Sequence, residues 1–167
     1  MVDILRKSSA LELDATDFRI LRLLSDNARL SDVTIGDRIN LSSTAVARRR
    51  KIIEEAGIIA GYNARLDLNA LGLSGVVIVA IELTSQSESV LNEFEREVVK
   101  CPSMSYCGFV SGDTDFIILI HVSSLAQYDE VYRRELTILP HVARIRSSFV
   151  MREVSRRINP PTLFKGG

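Results

Sequence analysis

The chain has no tryptophan, two cysteines, four prolines, 6% aromatic residues and no formal net charge. Each shortage excludes something. A single cysteine pair, Cys101 and Cys107, fits neither a disulfide framework nor a zinc site, so free core thiols are expected. No apolar run approaches the roughly 20 residues that a membrane span needs. The opening Met-Val-Asp-Ile-Leu-Arg-Lys lacks the apolar core of a signal peptide, so a cytoplasmic protein with no membrane partner is expected. With 21 basic residues against 21 acidic ones, a polyanion partner cannot be inferred from overall charge. Nor does the sequence carry a Ser/His/Asp or Cys/His constellation, a phosphate loop or a metal-ligand cluster. It predicts no enzyme and no cofactor.

What is present is 167 residues, 46% hydrophobic and 25% charged, the profile of one ordinary globular domain or two small ones. The positive charge is concentrated. Ser42 to Gly57 reads Ser-Ser-Thr-Ala-Val-Ala-Arg-Arg-Arg-Lys-Ile-Ile-Glu-Glu-Ala-Gly, a polar start, a basic middle and a glycine stop. Ser42 can cap the first turn of a helix, and Gly57 can adopt the left-handed conformation that ends one. Between them Arg48, Arg49, Arg50 and Lys51 point in every direction around one turn. Charge so dense repels itself and is stabilised best by a polyanion, of which nucleic acid is the obvious one.

The segments on either side give this helix its context. Asp14, with Asp17 three residues on, forms a capping box for a helix running to about Asp26, whose apolar stripe is Ile20, Leu21, Leu23 and Leu24. Ser31 opens a second short helix that stops near Asn40, and Ser42 opens the third almost at once. Two short helices so close together, the second one basic, predict a helix-turn-helix over about 32–51. Gly36 inside the first of them costs about 1 kcal/mol relative to alanine, which a close helix crossing could offset. The alternation of Tyr62, Ala64 and Leu66 predicts a strand after Gly57.

From Leu73 onward the hydrophobic period changes. Val76 to Leu83 reads as a buried strand, Ser87 starts a helix closed by Pro102, and Met104–Val110 and Phe116–Val122 are strands joined by Ser111-Gly112-Asp113-Thr114-Asp115. Ser124 starts another helix, and Val142 to Val150 is the last strand. Strand, helix, strand, strand, helix, strand is the ferredoxin-like split βαβ order. Val76, Ile78 and Ala80 face opposite to Val77, Val79 and Ile81, yet both sets are apolar. In a two-layer fold that predicts a partner sheet, most simply a second copy.

These residues resemble the Lrp/AsnC family of bacterial and archaeal transcriptional regulators. The match is carried by Leu13-Asp14-x-x-Asp17-x-x-Ile20-Leu21, Arg29-x-Ser31, Leu41-Ser42, Arg49, Glu54-Glu55-x-Gly57-x-Ile59-x-Gly61-Tyr62 and Val110-Ser111-Gly112-Asp113-x-Asp115, in that order from Leu13 to about Val154. The resemblance implies an α+β chain: a winged-type helix-turn-helix that binds double-stranded DNA, followed by a ferredoxin-like domain that forms homodimers and higher oligomers, often octamers, and senses small molecules, usually amino acids. The expected division is a tail over 1–12, the DNA-binding domain over 13–62, a strand linker over 63–72, the effector and oligomerisation domain over 73–154, and a tail over 155–167. The implied role is control of amino-acid metabolism genes.

On a helix beginning at Ser42, Val46, Arg50 and Ile53 share the core side, while Thr44, Arg48, Lys51 and Glu55 share the other. The candidate DNA contacts are therefore Ser42, Ser43 and Thr44 at the end where base edges are read, and Arg48, Arg49 and Lys51 for phosphates. Arg49 lies between the two sides, where a structural ion pair and a phosphate contact are both open. Arg50 departs from the family, which usually places an apolar residue there; its stem packs and its head snorkels out. Gly112, Asp113, Thr114 and Asp115 match the family's effector segment: glycine lets the backbone approach, and an aspartate can hold an ammonium. Gly-Asp is also ordinary hairpin chemistry. A second class shares the fold, the tetrapyrrole decarboxylases of the sirohaem type. There His121 and His141 would be the contacts, although each lone histidine reads more simply as structural and the basic helix has no use in such an enzyme.

Overall fold

The computed structural model describes residues 11–164 and divides into two compact units. The expected tail over 1–12 therefore lies outside the described residues as far as residue 10, and so does the chain beyond 164. One unit contains the helices up to Ala64 together with the segment from Ser155, and the other is Arg65–Val154. The described part of the segment expected as a C-terminal tail, up to residue 164, thus folds back onto the helices. A short 3-10 helix, Pro161–Phe164, lies against the first helix, and Asn159 Nδ2 donates to Ser25 Oγ at 2.8 Å.

The helical unit consists of α1 (Ala15–Asp26), α2 (Asp32–Ile39) and α3 (Ser43–Glu55). Local chemistry sets each boundary. At α1 the capping box is complete: Asp17 N–H donates to Asp14 Oδ1 at 2.9 Å and Asp14 N–H to Asp17 Oδ2 at 3.0 Å, satisfying donors that a helix start leaves open. Ser31 accepts from Thr34 N–H and Ser42 from Ala45 N–H in the same way. Asn40 ends α2 in the left-handed region at φ 59°, and Gly57 follows α3 at φ 70°. Ile20, Leu24, Ile35, Ile39 and Val46 form the core, with Leu23, Leu30, Leu41 and Ile59 packed against it.

Gly36 makes the turn between α2 and α3 possible. A Cβ at this position would lie 2.4 Å from the Leu41 carbonyl oxygen, a backbone atom that cannot swing away. The sheet unit needs no comparable approach in its helices. It has β1 (Gly75–Leu83), α4 (Glu88–Val98), β2 (Met104–Phe109), β3 (Phe116–Val122), α5 (Leu125–Val131) and β4 (Val142–Phe149). The strands are antiparallel in the order β2-β3-β1-β4, which is the ferredoxin-like arrangement. Val77, Val79, Ile81 and Leu83 of β1 alternate into a core shared with Phe94, Val98, Phe116, Ile118, Ile120 and Leu136. The other sheet face carries half-buried Val76, Ala80, Ile117 and Leu119 and exposed Ile78.

Two features differ from the sequence expectation. No strand forms over Ile58–Leu66 or in the 63–72 linker, so the helical unit has no strand-built wing among the described residues. A strand requires a ladder partner, and the four strands present pair only with one another. The linker instead closes a compact turn in which Leu71 N–H donates to Asp67 O and Leu73 N–H to Leu68 O. In addition, α5 widens into a π turn, Tyr132–Leu136, where Thr137 N–H reaches Tyr132 O at 3.0 Å; the wider turn fully buries Leu136.

The close turn makes a signed prediction. Gly36→Ala gains about 1 kcal/mol of helix propensity, but the backbone clash costs about 1–3 kcal/mol and can exceed that gain. The expected outcome is net destabilisation, read as a lower urea midpoint for the helical signal, while Gly61→Ala, which meets only Asn63 Nδ2 at 3.9 Å, leaves the midpoint unchanged.

Candidate functional site

The four consecutive cations of α3 divide into two pairs. Arg49 and Arg50 are half-buried, whereas Arg48 and Lys51 are exposed. Arg49 Nη1 donates at 2.8 Å to both Asp14 Oδ2 and Asp17 Oδ1, the two carboxylates of the α1 capping box. Asp17 is itself buried, so this guanidinium neutralises a charge that would otherwise be costly to desolvate. Of the two roles open to Arg49 on sequence, the geometry corresponds to the ion pair.

Arg50 is tied in on the opposite flank. Its Nε donates at 3.0 Å to both Glu54 Oε1 and the Tyr62 hydroxyl oxygen, and its Nη1 reaches Asp32 Oδ1 at 3.3 Å. The Tyr62 hydroxyl donates to Glu54 Oε1 at 2.6 Å, and the guanidinium carbon lies 5.0 Å from the centre of the Tyr62 ring. Hydrogen bonding from Tyr62, and after it from Arg50, holds the Glu54 carboxyl below its usual value of 4.5. The Asp17 backbone N–H, then Arg49, holds Asp14 below its usual 3.8.

The outward face is left to Ser42, Ser43, Thr44, Arg48 and Lys51, all exposed. Ser42 is occupied by its cap, so its hydroxyl also fixes the helix start. The Arg48 side chain makes no ion pair or hydrogen bond among the described residues, and that of Lys51 makes only a long exposed contact of 3.7 Å with Glu55. An exposed pair of that kind contributes about 0.3–0.5 kcal/mol, so it yields readily to a phosphate.

The hairpin residues also divide. Asp115 is 5% exposed, and its carboxylate accepts from Leu83 N–H and Gln86 Nε2, each at 2.7 Å. Thr114 Oγ1 donates to Ile81 O at 2.7 Å. These two residues fasten the hairpin to β1. Gly112, at φ 123°, and Asp113 form the exposed tip, where Arg146 Nη2 donates to Asp113 O at 3.2 Å. The sequence pattern did not separate fastening residues from tip residues, because the partners that fasten them are 29–33 positions away.

His141 adopts φ 59°, its carbonyl accepts from Thr84 N–H, and Nε2 lies 2.8 Å from Glu93 Oε2. His121 sits opposite Val76 in the sheet. Cys101 and Cys107 are free and partly buried, and burial pushes the Cys107 thiol up to about 11.

A capped helix-turn-helix with a basic outward face, carried on the same chain as a ferredoxin-like unit, defines a two-domain DNA-binding regulator. Residues 13–53 match the AsnC-type helix-turn-helix domain, and residues 76–160 match the Lrp/AsnC ligand binding domain. The chain belongs to the Lrp/AsnC family and is a transcriptional regulator of that type. It is 37% identical over 150 residues to the Bkd operon transcriptional regulator of Pseudomonas aeruginosa, covering 90% of this chain and 98% of that one. To the leucine-responsive regulatory protein of Rhizobium meliloti it is 34% identical over 143 residues, covering 86% and 92%. The crystal structure of a Neisseria meningitidis transcriptional regulator in complex with L-Met superposes with a TM-score of 0.84 at 27% identity, covering 90% and 97%. The family match across both units does not favour the decarboxylase reading. Among the described residues, no helix is long and apolar enough to cross a membrane.

The lowered carboxyls give a pH prediction. A folded-state pKa below the unfolded one stabilises above the unfolded value and is lost as pH falls through the folded value. The helical unit should therefore lose stability as pH drops below 4.5, the range in which Glu54 and Asp14 take up protons. Urea midpoints measured from pH 6 to about pH 3 test this. Glu54→Gln should flatten the decline, and a curve parallel to that of the parent would remove Glu54 from the linkage.

Proposed function

We propose that the chain reads operator DNA through the outward face of α3, with Ser43 and Thr44 near base edges, Arg48 and Lys51 on phosphates, and Ser42 presenting the helix. Arg49 acts from behind as a positioning residue. The observation that carries this reading is the division of the cations: two are bound by carboxylates of the protein, and two extend from the opposite side, where a phosphate could take them. Base contacts come from the N-terminal end of a recognition helix in this geometry, and phosphate contacts set its register.

The same reading extends to the sheet unit. Its effector is an amino acid, a class supported by the L-Met complex of the related regulator, and it approaches the tip at Gly112 and Asp113. Thr114 and Asp115 hold that tip in place rather than touch the ligand. The apolar face of Val76, Ile78, Ala80, Ile117 and Leu119 pairs two copies, which assemble into higher oligomers, and the protein acts in the cytoplasm on genes of amino-acid metabolism.

Salt dependence tests the DNA contacts. Arg48→Ala and Lys51→Ala should each weaken binding to every DNA sequence and lower the slope of log K against log salt by about one unit. An unchanged slope in either variant would take that residue out of the interface. For the effector, calorimetry against the twenty amino acids should give heat with at least one, and Asp113→Ala should reduce that heat; silence from all twenty would count against an amino-acid effector.

A further inference from the structure

The hairpin tip is met by a side chain from another strand. Arg146 stands on β4 opposite Ala80, which is itself opposite Ile117, so all three share the uncovered face of the sheet. From there the guanidinium reaches a residue 33 positions back in the chain, donating from Nη2 to the Asp113 carbonyl oxygen at 3.2 Å. That neutral oxygen is the side chain's one hydrogen-bond partner among the described residues, and it makes no ion pair there. A guanidinium is a planar fork of N–H donors, so most of its donors stay open. Arg144, on the same face, differs: its charge is met by Glu82 at 3.6 Å.

The Asp113 carboxylate is equally unengaged. It is exposed, and no hydrogen bond or ion pair reaches it among the described residues. The tip therefore carries a positive and a negative group that are brought together through the Asp113 backbone and do not pair with each other. On α5 and its π turn, by contrast, Asp129 pairs with Arg133 and Glu130 with Arg134. The backbone N–H groups of 111–114 also have no acceptor among the described residues, and Gly112, at φ 123°, adds no side chain to crowd them. Neighbouring but separate opposite charges, with open backbone donors beside them, are complementary to a zwitterion and not to an ion of one sign.

We infer that Arg146 is a binding residue of the effector site, taking the α-carboxylate of an amino acid in a bidentate pair while Asp113 takes its ammonium. The inference rests on the proposal that an amino acid binds at the tip, and it supplies the residue that tells a free amino acid from one whose carboxyl is blocked. Binding exchanges a bond to a neutral carbonyl for charge-assisted bonds to a carboxylate, which are about twice as strong. A ligand lacking that carboxylate leaves the cation without its partner, and a site built on such a contact rejects it.

Calorimetry on the full chain tests this with each of the twenty amino acids, and then with the α-amide of the one that binds most tightly. The parent should prefer the acid to its amide by about tenfold or more. In Arg146→Gln the preference should fall to about threefold or less, through weaker binding of the acid with binding of the amide kept. Arg144→Gln, which removes a cation already paired, should keep the parent's preference. A preference unchanged in Arg146→Gln, or acid and amide weakened equally, would overturn the inference by leaving Arg146 a brace for the tip, with an amino acid still bound there. Equal binding of acid and amide by the parent would overturn it too. So would a changed assembly size of Arg146→Gln in sedimentation, which would place the residue in the contact between copies. If none of the twenty gives heat, the amino-acid effector itself fails and the role of Arg146 fails with it.

Discussion

Four consecutive cations on a helix cannot all face the same way. At 3.6 residues per turn, Arg48 to Lys51 sweep around the whole axis, so any packing of α3 against the other helices directs part of this charge into the protein. The fold answers with carboxylates where the arginines land. Asp14 and Asp17 receive Arg49 on one flank, while Asp32 and Glu54 receive Arg50 on the other. Much of the local architecture depends on this pairing. The capping box that starts α1 is also an arginine receptor, so the beginning of one helix and the middle of another are fixed by the same atoms.

The pairing also explains how a chain of zero net charge presents a basic surface. Inward cations are compensated within a few ångströms, so the outward ones act with little competition from their own helix. Val46 and Ile53 complete the inward side of α3 and are essentially fully buried, so the helix cannot rotate to exchange its faces without exposing them. The sheet unit uses its charge in a comparable way. Asp115 is spent on the Leu83 N–H and Gln86, which leaves the hairpin tip at Gly112 and Asp113 projecting from a fixed base.

Elements set by near neighbours along the chain are legible in the amino-acid sequence. Asp14, Ser31, Ser42, Asn40 and Gly57 each act within three or four residues, and all occupy the helix ends expected of them. The near-continuous apolar run of Val76 to Leu83, rich in Val and Ile and too short for a helix of that composition, likewise identifies a buried strand. Long-range partners are hidden. Asp14 and Asp17 read only as cap residues although Arg49 lies 35 and 32 positions away, and Asp115 reads as a ligand contact although its partners lie 32 and 29 positions away. The alternation of Tyr62, Ala64 and Leu66 suggests a strand because alternation says nothing of whether a partner strand exists. What that segment has instead is a single tyrosine bound to α3, a contact no periodicity encodes.

The division of charge within α3 is observable directly. Nitrogen-15 NMR of the arginine guanidinium groups, recorded for the free protein and then with operator DNA, follows Arg48, Arg49 and Arg50 separately. The expected result is slow rotation and slow proton exchange at Arg49 and Arg50 before any DNA is added, little change on binding, and new protection at Arg48 only in the complex. Rapid exchange at Arg49 and Arg50 in the free protein, with protection arising at all three on DNA, would contradict it: the carboxylates would then not hold the inward pair, and α3 would spend its whole basic turn on the polyanion.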